Sequence, residues 1–218
     1  LGMDHGKEIG KFFDQSFHLQ GINGSLQPAP ANLNGAIGGC KIAKLTAGGD
    51  ENDPDKLYAE LSKLIVAMQE EDIDTEECAI FVRPTLHEVL LNNDKLVNGD
   101  YSAAGDFAEG KFKGIMGSPV VATARIPNAA ITGHLLSNAD NGYAYDVSAA
   151  EAQAKAIVMH PKSLLAGETI PMTSDVWFNR EEKQWFIDSF LAFGVANNRP
   201  DVCGTVFAAG ATGNTANV

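Results

Sequence analysis

Apolar residues repeat with helical spacing in two segments of the first half of the chain. The clearer segment is 53–72, where Asp53 can cap a helix, Pro54 suits the first helical position and Asp55 favours the positive end of the helix dipole. Its apolar stripe consists of Leu57, Leu61, Leu64, Ile65 and Met68. Residues 1–19 show a weaker stripe, so the sequence predicts an amphipathic helix in each segment.

Short apolar runs predict strands between and after these helices. They are 40–45, 78–82, 111–125 (two strands joined by a Gly117-Ser118-Pro119 turn), 156–159 and 174–178. Thr85, with Glu88 three residues later, predicts a capping box at the start of a short helix that ends near 91. The Gly- and Asn-rich stretches 21–49, 92–110 and 128–148 are predicted loops.

The last strongly patterned stretch, 184–207, predicts a strand, a turn and a second strand. Apolar residues fall on both parities of 184–193, which is typical of a strand buried between two layers. Gly194 and the polar cluster 197–201 interrupt it, and 202–207 returns to a β-rich composition. Helices and strands alternate early and strands dominate late, which predicts an α+β fold with a second layer built from both chain ends.

Composition narrows the classes of function. The 218 residues carry a formal net charge of −12, with a pI near 4.7 and no basic stripe, which argues against sequence-specific nucleic-acid recognition. Hydrophobic runs stay well short of a membrane span, and the start resembles no signal peptide. The chain begins inside a helical pattern without an N-cap, so we expect a fragment or a processed product that lacks an upstream part. The alternative is a short natural N-terminal helix.

Candidate catalytic and metal-binding patterns are weak. The five histidines show no HxxxH or HExxH spacing, and the acidic run 50–55 lacks the glycine and distal glutamate of an EF-hand loop. Cys40, Cys78 and Cys203 are odd in number and widely spaced, as reduced thiols are. No phosphate-binding glycine loop or nucleophile elbow is present. The sequence therefore predicts no catalytic, cofactor-binding or metal-binding residue.

Four motifs, in this order, resemble the major capsid proteins of tailed bacteriophages, the short-tailed podovirus type in particular. The motifs are CAIFVRPTLHEVLL at 78–91, FKGIMGSPVVAT at 112–123, KAIVMHPKSLLAG at 155–167 and FIDSFLAFGVANNRPDVCGTVF at 186–207. The resemblance implies the HK-ninety-seven-like (Johnson) shell fold, with its N-arm and E-loop outside this sequence. It divides the chain into a distal spine helix and connecting loop at 1–45, an axial domain at 46–170, and peripheral strands with a mobile tail at 171–218.

The resemblance also implies a function and its partners. Copies would self-assemble into pentamers and hexamers of an icosahedral shell that encloses double-stranded DNA without sequence-specific binding. The shell would form in the host cytoplasm with scaffolding and portal proteins, away from membranes, and needs no cofactor. Loops near the capsomer axis and a turn near its edge would carry the contacts, through Asn98, Tyr101, Phe107, Asn138, Tyr143, Asn197, Arg199 and Asp201.

Two alternatives remain open at this point. The first is an encapsulin-like compartment, which shares the shell fold but encloses protein cargo. The second is an α+β enzyme of unknown reaction, because catalytic side chains that are distant in sequence can still meet in a fold. The resemblance also implies one spatial expectation, which is that the strands of 184–207 pack against the first helix.

Overall fold

The computed structural model describes residues 2–33, 37–97, 112, 114–211 and 218, with side chains from residue 4 onward. Its α-helices are α1 (Gly2–Ser25), α2 (Pro54–Gln69), α3 (Pro84–Leu91) and α4 (Asp94–Val97). Its strands are β1 (Lys41–Lys44), β2 (Ala79–Val82), β3 (Val120–Ala122), β4 (Ala154–Met159), β5 (Leu164–Asn179), β6 (Gln184–Asn197) and β7 (Cys203–Phe207). Short 3₁₀ turns connect several of them.

Five strands form a mixed sheet in the order β1-β7-β4-β2-β3. β7 is parallel to β1, with Lys41 opposite Gly204, and antiparallel to β4, with Met159 opposite Cys203. β2 is antiparallel to β4 and parallel to β3. Strands from both ends of the chain therefore lie side by side, and we call this sheet with its covering helices the body.

α2 covers one face of the body sheet. Asp53 caps it by accepting hydrogen bonds from the backbone N–H groups of Asp55 and Lys56, as the sequence predicted. The predicted stripe is completely buried and meets the inward side chains of β2, β4 and β7. Leu64 packs so closely on β7 that a Cβ built at Gly204 would lie 2.9 Å from its methyl groups. A glycine suits this position because an added side chain would force Leu64 to shift.

α1 covers the opposite face and is longer than predicted. It continues to Ser25, so Gly21 and Gly24 are helical although the sequence placed them in a loop. Gly21 faces β4, where a Cβ would collide with the Met159 sulfur, and its carbonyl accepts a hydrogen bond from the Cys203 thiol at 3.0 Å. Close approach to the sheet compensates the low helix propensity of glycine. The packing of α1 against the C-terminal strands confirms the spatial expectation.

β5 and β6 form a separate two-stranded antiparallel ribbon, joined by a turn at 180–183. Most of its side chains are exposed, so the prediction that 184–193 is buried between two layers is wrong. Apolar residues on both faces of a strand indicated two covering layers, but within the described residues only the base of the ribbon is covered. The second predicted strand, 203–207, is fully buried in the body, as expected.

Pairing within the ribbon is irregular near its base. Register shifts follow Glu168 and Ile170 on β5, while β6 continues without interruption. β5 therefore contains two residues more than β6 over this stretch.

A smaller correction concerns the start of α3. The helix begins at Pro84 with Arg83 as its N-cap and without a capping side chain, so Thr85 forms no capping box.

Replacing Leu64 with Ala tests the packing of α2 on the sheet. We expect the free energy of unfolding to fall by about 2–5 kcal/mol, because a completely buried side chain leaves a cavity against β7. Val66→Ala on the same helix is the control: Val66 is 39% exposed, so we expect a loss of less than about 1 kcal/mol. Urea unfolding measures both variants, and equal losses would contradict the assigned packing.

Candidate interaction surfaces

The ribbon carries most of the exposed large apolar side chains of the described chain. These are Leu165, Ile170, Met172, Val176, Trp177 and Phe178 on β5, and Trp185, Ile187 and Phe190 on β6. Such a concentration of exposed apolar groups on a projecting element is typical of a surface that contacts another macromolecule. The ribbon is therefore the first candidate interaction surface.

The two faces of the ribbon differ in their surroundings. β6 side chains alternate, so Phe193 and Val195 at the base point to α1, and we call this side the inner face. The opposite side is the outer face, and it includes Phe186, Asp188 and Phe190 with their β5 partners Trp177, Asp175 and Thr173. Trp177 and Phe186 are stacked, with ring centroids 5.7 Å apart. Gly167 pairs with Gly194 nearer the base. Because neither has a side chain, the backbone is uncovered there.

Aromatic contacts and one tyrosine fix the base of the ribbon. The Phe193 ring lies 6.1 Å from Phe12 and 4.6 Å from Phe13 on α1, measured between centroids. The buried Tyr145 hydroxyl donates to the Val195 carbonyl and accepts from the Val195 N–H, both at 2.7 Å. The backbone N–H and carbonyl of Val195 are thus both hydrogen-bonded by one side chain. The ribbon is anchored at its base and free at its end.

Tyr145 belongs to the loop 128–148, which packs on α1. The His134 ring stacks between Phe12 and Tyr145, at centroid distances of 5.1 and 5.5 Å. The Asp146 carboxylate accepts from the backbone N–H groups of Gly133 and His134. A hydrogen bond from Ser137 and these two N–H groups lower the pKa of Asp146. The loop is therefore ordered by its own polar network and by a three-ring stack.

The predicted contact residues of this loop are on its outer side. Asn138 and Tyr143 are exposed, and Tyr143 has a left-handed φ of 58° within the turn. Asn138 and Asn141 exchange hydrogen bonds through their side chains, which shapes the turn. The predicted contact residues Asn98, Tyr101 and Phe107 lie outside the described residues.

The predicted turn at 197–201 is less exposed than a surface turn. Asn197 and Arg199 are half-buried, while Asp201 is only 3% exposed. The Arg199 guanidinium donates to both Asp201 carboxylate oxygens, and this hydrogen bonding raises the pKa of Arg199. Asp201 therefore positions Arg199, which is the more accessible member of the pair.

Nothing in the described part of the chain assembles a catalytic group. Burial raises the pKa of the Cys78 thiol to about 11 and that of Cys203 to about 12, so both remain protonated and unreactive near neutral pH. His160 pairs with Glu77 at 3.1 Å, without a nucleophile completing a triad. Among the described residues, no three metal-ligating side chains cluster, and no helix is long and apolar enough to span a membrane.

Sequence reasoning missed most of β5. Only 174–178 was predicted as a strand, although the turn sequence Asn-Arg-Glu-Glu-Lys at 179–183, between two β-rich runs, is a hairpin signal. Two register shifts, between Glu168 and Ile170 and between Ile170 and Thr173, hide the alternation in the first half of the strand, and Pro171 lies within the second. The link between Tyr145 and Val195 had no sequence signal, because the two residues are 50 positions apart.

Comparison with solved structures assigns the fold. The chain is similar to a chain of the bacteriophage PhiM1 mature capsid, with 28% identity and a TM-score of 0.83 over 96% of its length. It also matches the capsid of cyanophage P-SCSP1u (16% identity, TM-score 0.82, 95% of its length) and a Mycobacterium phage Che8 structure (13%, 0.62 and 92%). It spans 64%, 64% and 60% of those three chains. No protein-family model matches it, and no curated protein is significantly similar in sequence.

These matches confirm the predicted resemblance to the tailed-phage major capsid proteins and the predicted fold. The likeness covers nearly the whole chain and includes the ribbon, α1 and the body.

Tyr145→Phe tests the anchor of the ribbon. The change leaves two buried backbone groups of Val195 without a partner, so we expect a loss of about 1–3 kcal/mol in the free energy of unfolding and faster amide exchange at Val195. Tyr143→Phe removes the same hydroxyl from a residue that is 58% exposed and should change neither quantity. Unaltered exchange at Val195 in the first variant would rule out the anchor.

His18 predicts a pH dependence of stability. It is 6% exposed on α1 beside Phe81, and burial lowers its pKa from 6.5 to about 4. The unfolded chain binds the His18 proton more readily than the folded chain does. The free energy of unfolding therefore keeps its full value above pH 6.5 and falls by about 3 kcal/mol as the pH drops to about 4. Unfolding curves at pH 7.5 and 4.5 measure the loss.

A His18→Phe variant should lose less stability over the same pH interval, because it has no imidazole to protonate. His5→Gln, at an exposed position of the same helix, should behave like the unaltered chain. If the His18→Phe variant and the unaltered chain lose equal stability, His18 is not the group responsible.

Proposed function

We propose that the chain is a structural protein of a phage virion, and that its copies associate into pentamers and hexamers of the icosahedral capsid shell. The observation that carries the proposal is the ribbon: a capsid-type fold projects a largely exposed strand pair with nine large apolar side chains accessible to solvent. Exposed apolar side chains are stabilised when another surface covers them, and association between copies would provide that cover.

The mechanism is geometric. Contacts between different surfaces of neighbouring copies are heterologous, and they form rings where the rotation between copies closes. Each contact can be weak, because every copy is held by several neighbours at once. The fixed base of the ribbon, set by Phe193 and Tyr145, gives each contact a defined direction.

The division of the chain follows from the same proposal. The predicted division is a distal spine helix and connecting loop at 1–45, an axial domain at 46–170, and peripheral strands and tail at 171–218. Because the body sheet joins β1 and β7 to the strands of the middle segment, the proposal adds 41–44 and 203–207 to the axial unit. The packing of α1 on the ribbon supports the placement of both in one peripheral unit. Asn98, Tyr101, Phe107, Asn138 and Tyr143 would meet their counterparts near the capsomer axis, and Asn197 and Arg199, positioned by Asp201, would lie nearer its edge.

Charge supports the proposed relation to the genome. A net charge of −12 disfavours tight binding to nucleic acid, so a shell of such chains would enclose double-stranded DNA without holding it to the wall. The proposal includes scaffolding and portal proteins as assembly partners in the host cytoplasm, and it includes no enzymatic step.

The size of the purified chain tests the proposal. We expect concentration-dependent association in sedimentation velocity, with rings of five or six copies or larger shells visible by electron microscopy. A chain that stays monomeric at every concentration would overturn the proposed function.

Leu165→Asp tests the contribution of the ribbon. Leu165 is 59% exposed, so the change should leave folding intact and weaken association roughly tenfold or more, because a charge is then buried in an apolar contact. Thr85→Asp adds the same charge at an exposed position in the first turn of α3 and should leave association unaffected. Equal association of both variants would exclude the ribbon as a contact surface.

A further inference from the structure

Two carboxylates face each other across the outer face of the ribbon. Asp175 on β5 is directly opposite Asp188 on β6, and like charges at this position destabilise a strand pair. The Asp175 carboxylate accepts a hydrogen bond from the Val176 N–H at 2.9 Å. Across the described part of the chain, neither carboxylate lies within ion-pair distance of a Lys or Arg side chain. The pair is therefore uncompensated within the described part of the chain.

Aromatic side chains border this pair on the same face. The stacked Trp177 and Phe186 lie on the side of the turn, and Phe190, which is 48% exposed, lies on the side of the base. Carboxylates next to aromatic faces favour cationic side chains, which gain both ion pairing and cation–π contact. The chemistry of the outer face thus specifies a basic partner group.

Basic groups are present at the end of the same ribbon. Arg180 and Lys183, in the turn that joins β5 to β6, are exposed and belong to none of the ion pairs among the described residues. The turn is five residues from Asp175 and Asp188, or roughly 16 Å at the rise of a strand. The two sets of charges therefore lie too far apart to pair within one ribbon.

Two ribbons can bring these charges together. Consider two ribbons that lie antiparallel, with their outer faces in contact and an overlap of roughly 16 Å. In this arrangement the turn of each copy lies over the acidic pair of the other. The midpoint of that overlap is at the Trp177–Phe186 pair, so the aromatic stacks of both copies meet at the two-fold axis. Arg180 and Lys183 of each copy then lie over the acidic pair of the other, with Glu181 and Glu182 of the same turn beside them, and the centre of the contact is apolar.

We propose that the outer face of the ribbon is a self-complementary docking surface, in which Asp175 and Asp188 of each copy receive Arg180 and Lys183 of a second copy. The contact deepens the proposed function, on which it rests, and is isologous because both copies use one surface. It is small compared with a stable two-chain interface, so it acts with other contacts between copies.

Removing the acidic pair separates folding from association. Asp175→Asn with Asp188→Asn relieves the repulsion within one ribbon, so we expect unchanged or higher folding stability and association roughly tenfold weaker. The matched control is Glu181→Gln with Glu182→Gln in the turn, which changes the net charge equally. The control should associate as well as the unaltered chain or better, because it removes acids that would approach the partner's carboxylates.

A charge exchange identifies the partner residues. One variant carries Asp175→Lys and Asp188→Lys, and the other carries Arg180→Glu and Lys183→Glu. Each alone should associate roughly tenfold more weakly than the unaltered chain, because like charges then meet at the contact. An equimolar mixture should regain the original association. Sedimentation velocity at low and high salt measures all four samples, and the difference should shrink at high salt.

Failure of this inference differs from failure of the proposed function. If the unaltered chain associates but the mixture is no stronger than its components, the docking surface is wrong while shell formation stands. If the unaltered chain stays monomeric at every concentration, both are overturned. If the asparagine variant associates as well as the unaltered chain, the acidic pair is a solvated surface feature and the inference is wrong.

Discussion

The burial of β7 as an interior strand of the body sheet is the constraint on which the rest of the structure depends. All five of its residues are buried, and it pairs with β1 on one side and β4 on the other. One face receives α2 through the close contact of Leu64 with Gly204, and the other receives α1 through the contact of Cys203 with Gly21. The position of β7 thus fixes both helices, and through β4 it fixes where the ribbon begins.

Much of the body could be predicted from sequence because its elements have one covered face. α2 has a single apolar stripe and a standard cap, so its periodicity gave its position and its buried side directly. The short runs that became β2, β4 and β7 are apolar enough to require burial. Their order supported the resemblance to capsid proteins, which the structural comparison then confirmed.

The exposure of the ribbon and the C-terminal end of α1 could not be predicted from sequence, for physical reasons. Gly21 and Gly24 oppose a helix by propensity, and only contact with Met159 and with Asn197 makes the helix favourable there. Apolar residues on both faces of β6 resemble those of a buried strand, yet a strand whose burial comes from association has the same pattern. Sequence shows that such side chains need covering but does not show which molecule covers them.

The pairing of β1 with β7 has a consequence for folding during synthesis. Lys41 and Gly204 are 163 positions apart, so the ladder that completes the body closes only after nearly the whole described chain has left the ribosome. Until then both α1 and α2 lack β7, one of the strands against which they pack. The nascent chain therefore exposes part of its apolar core until its synthesis is nearly complete, and aggregation is favoured during that interval.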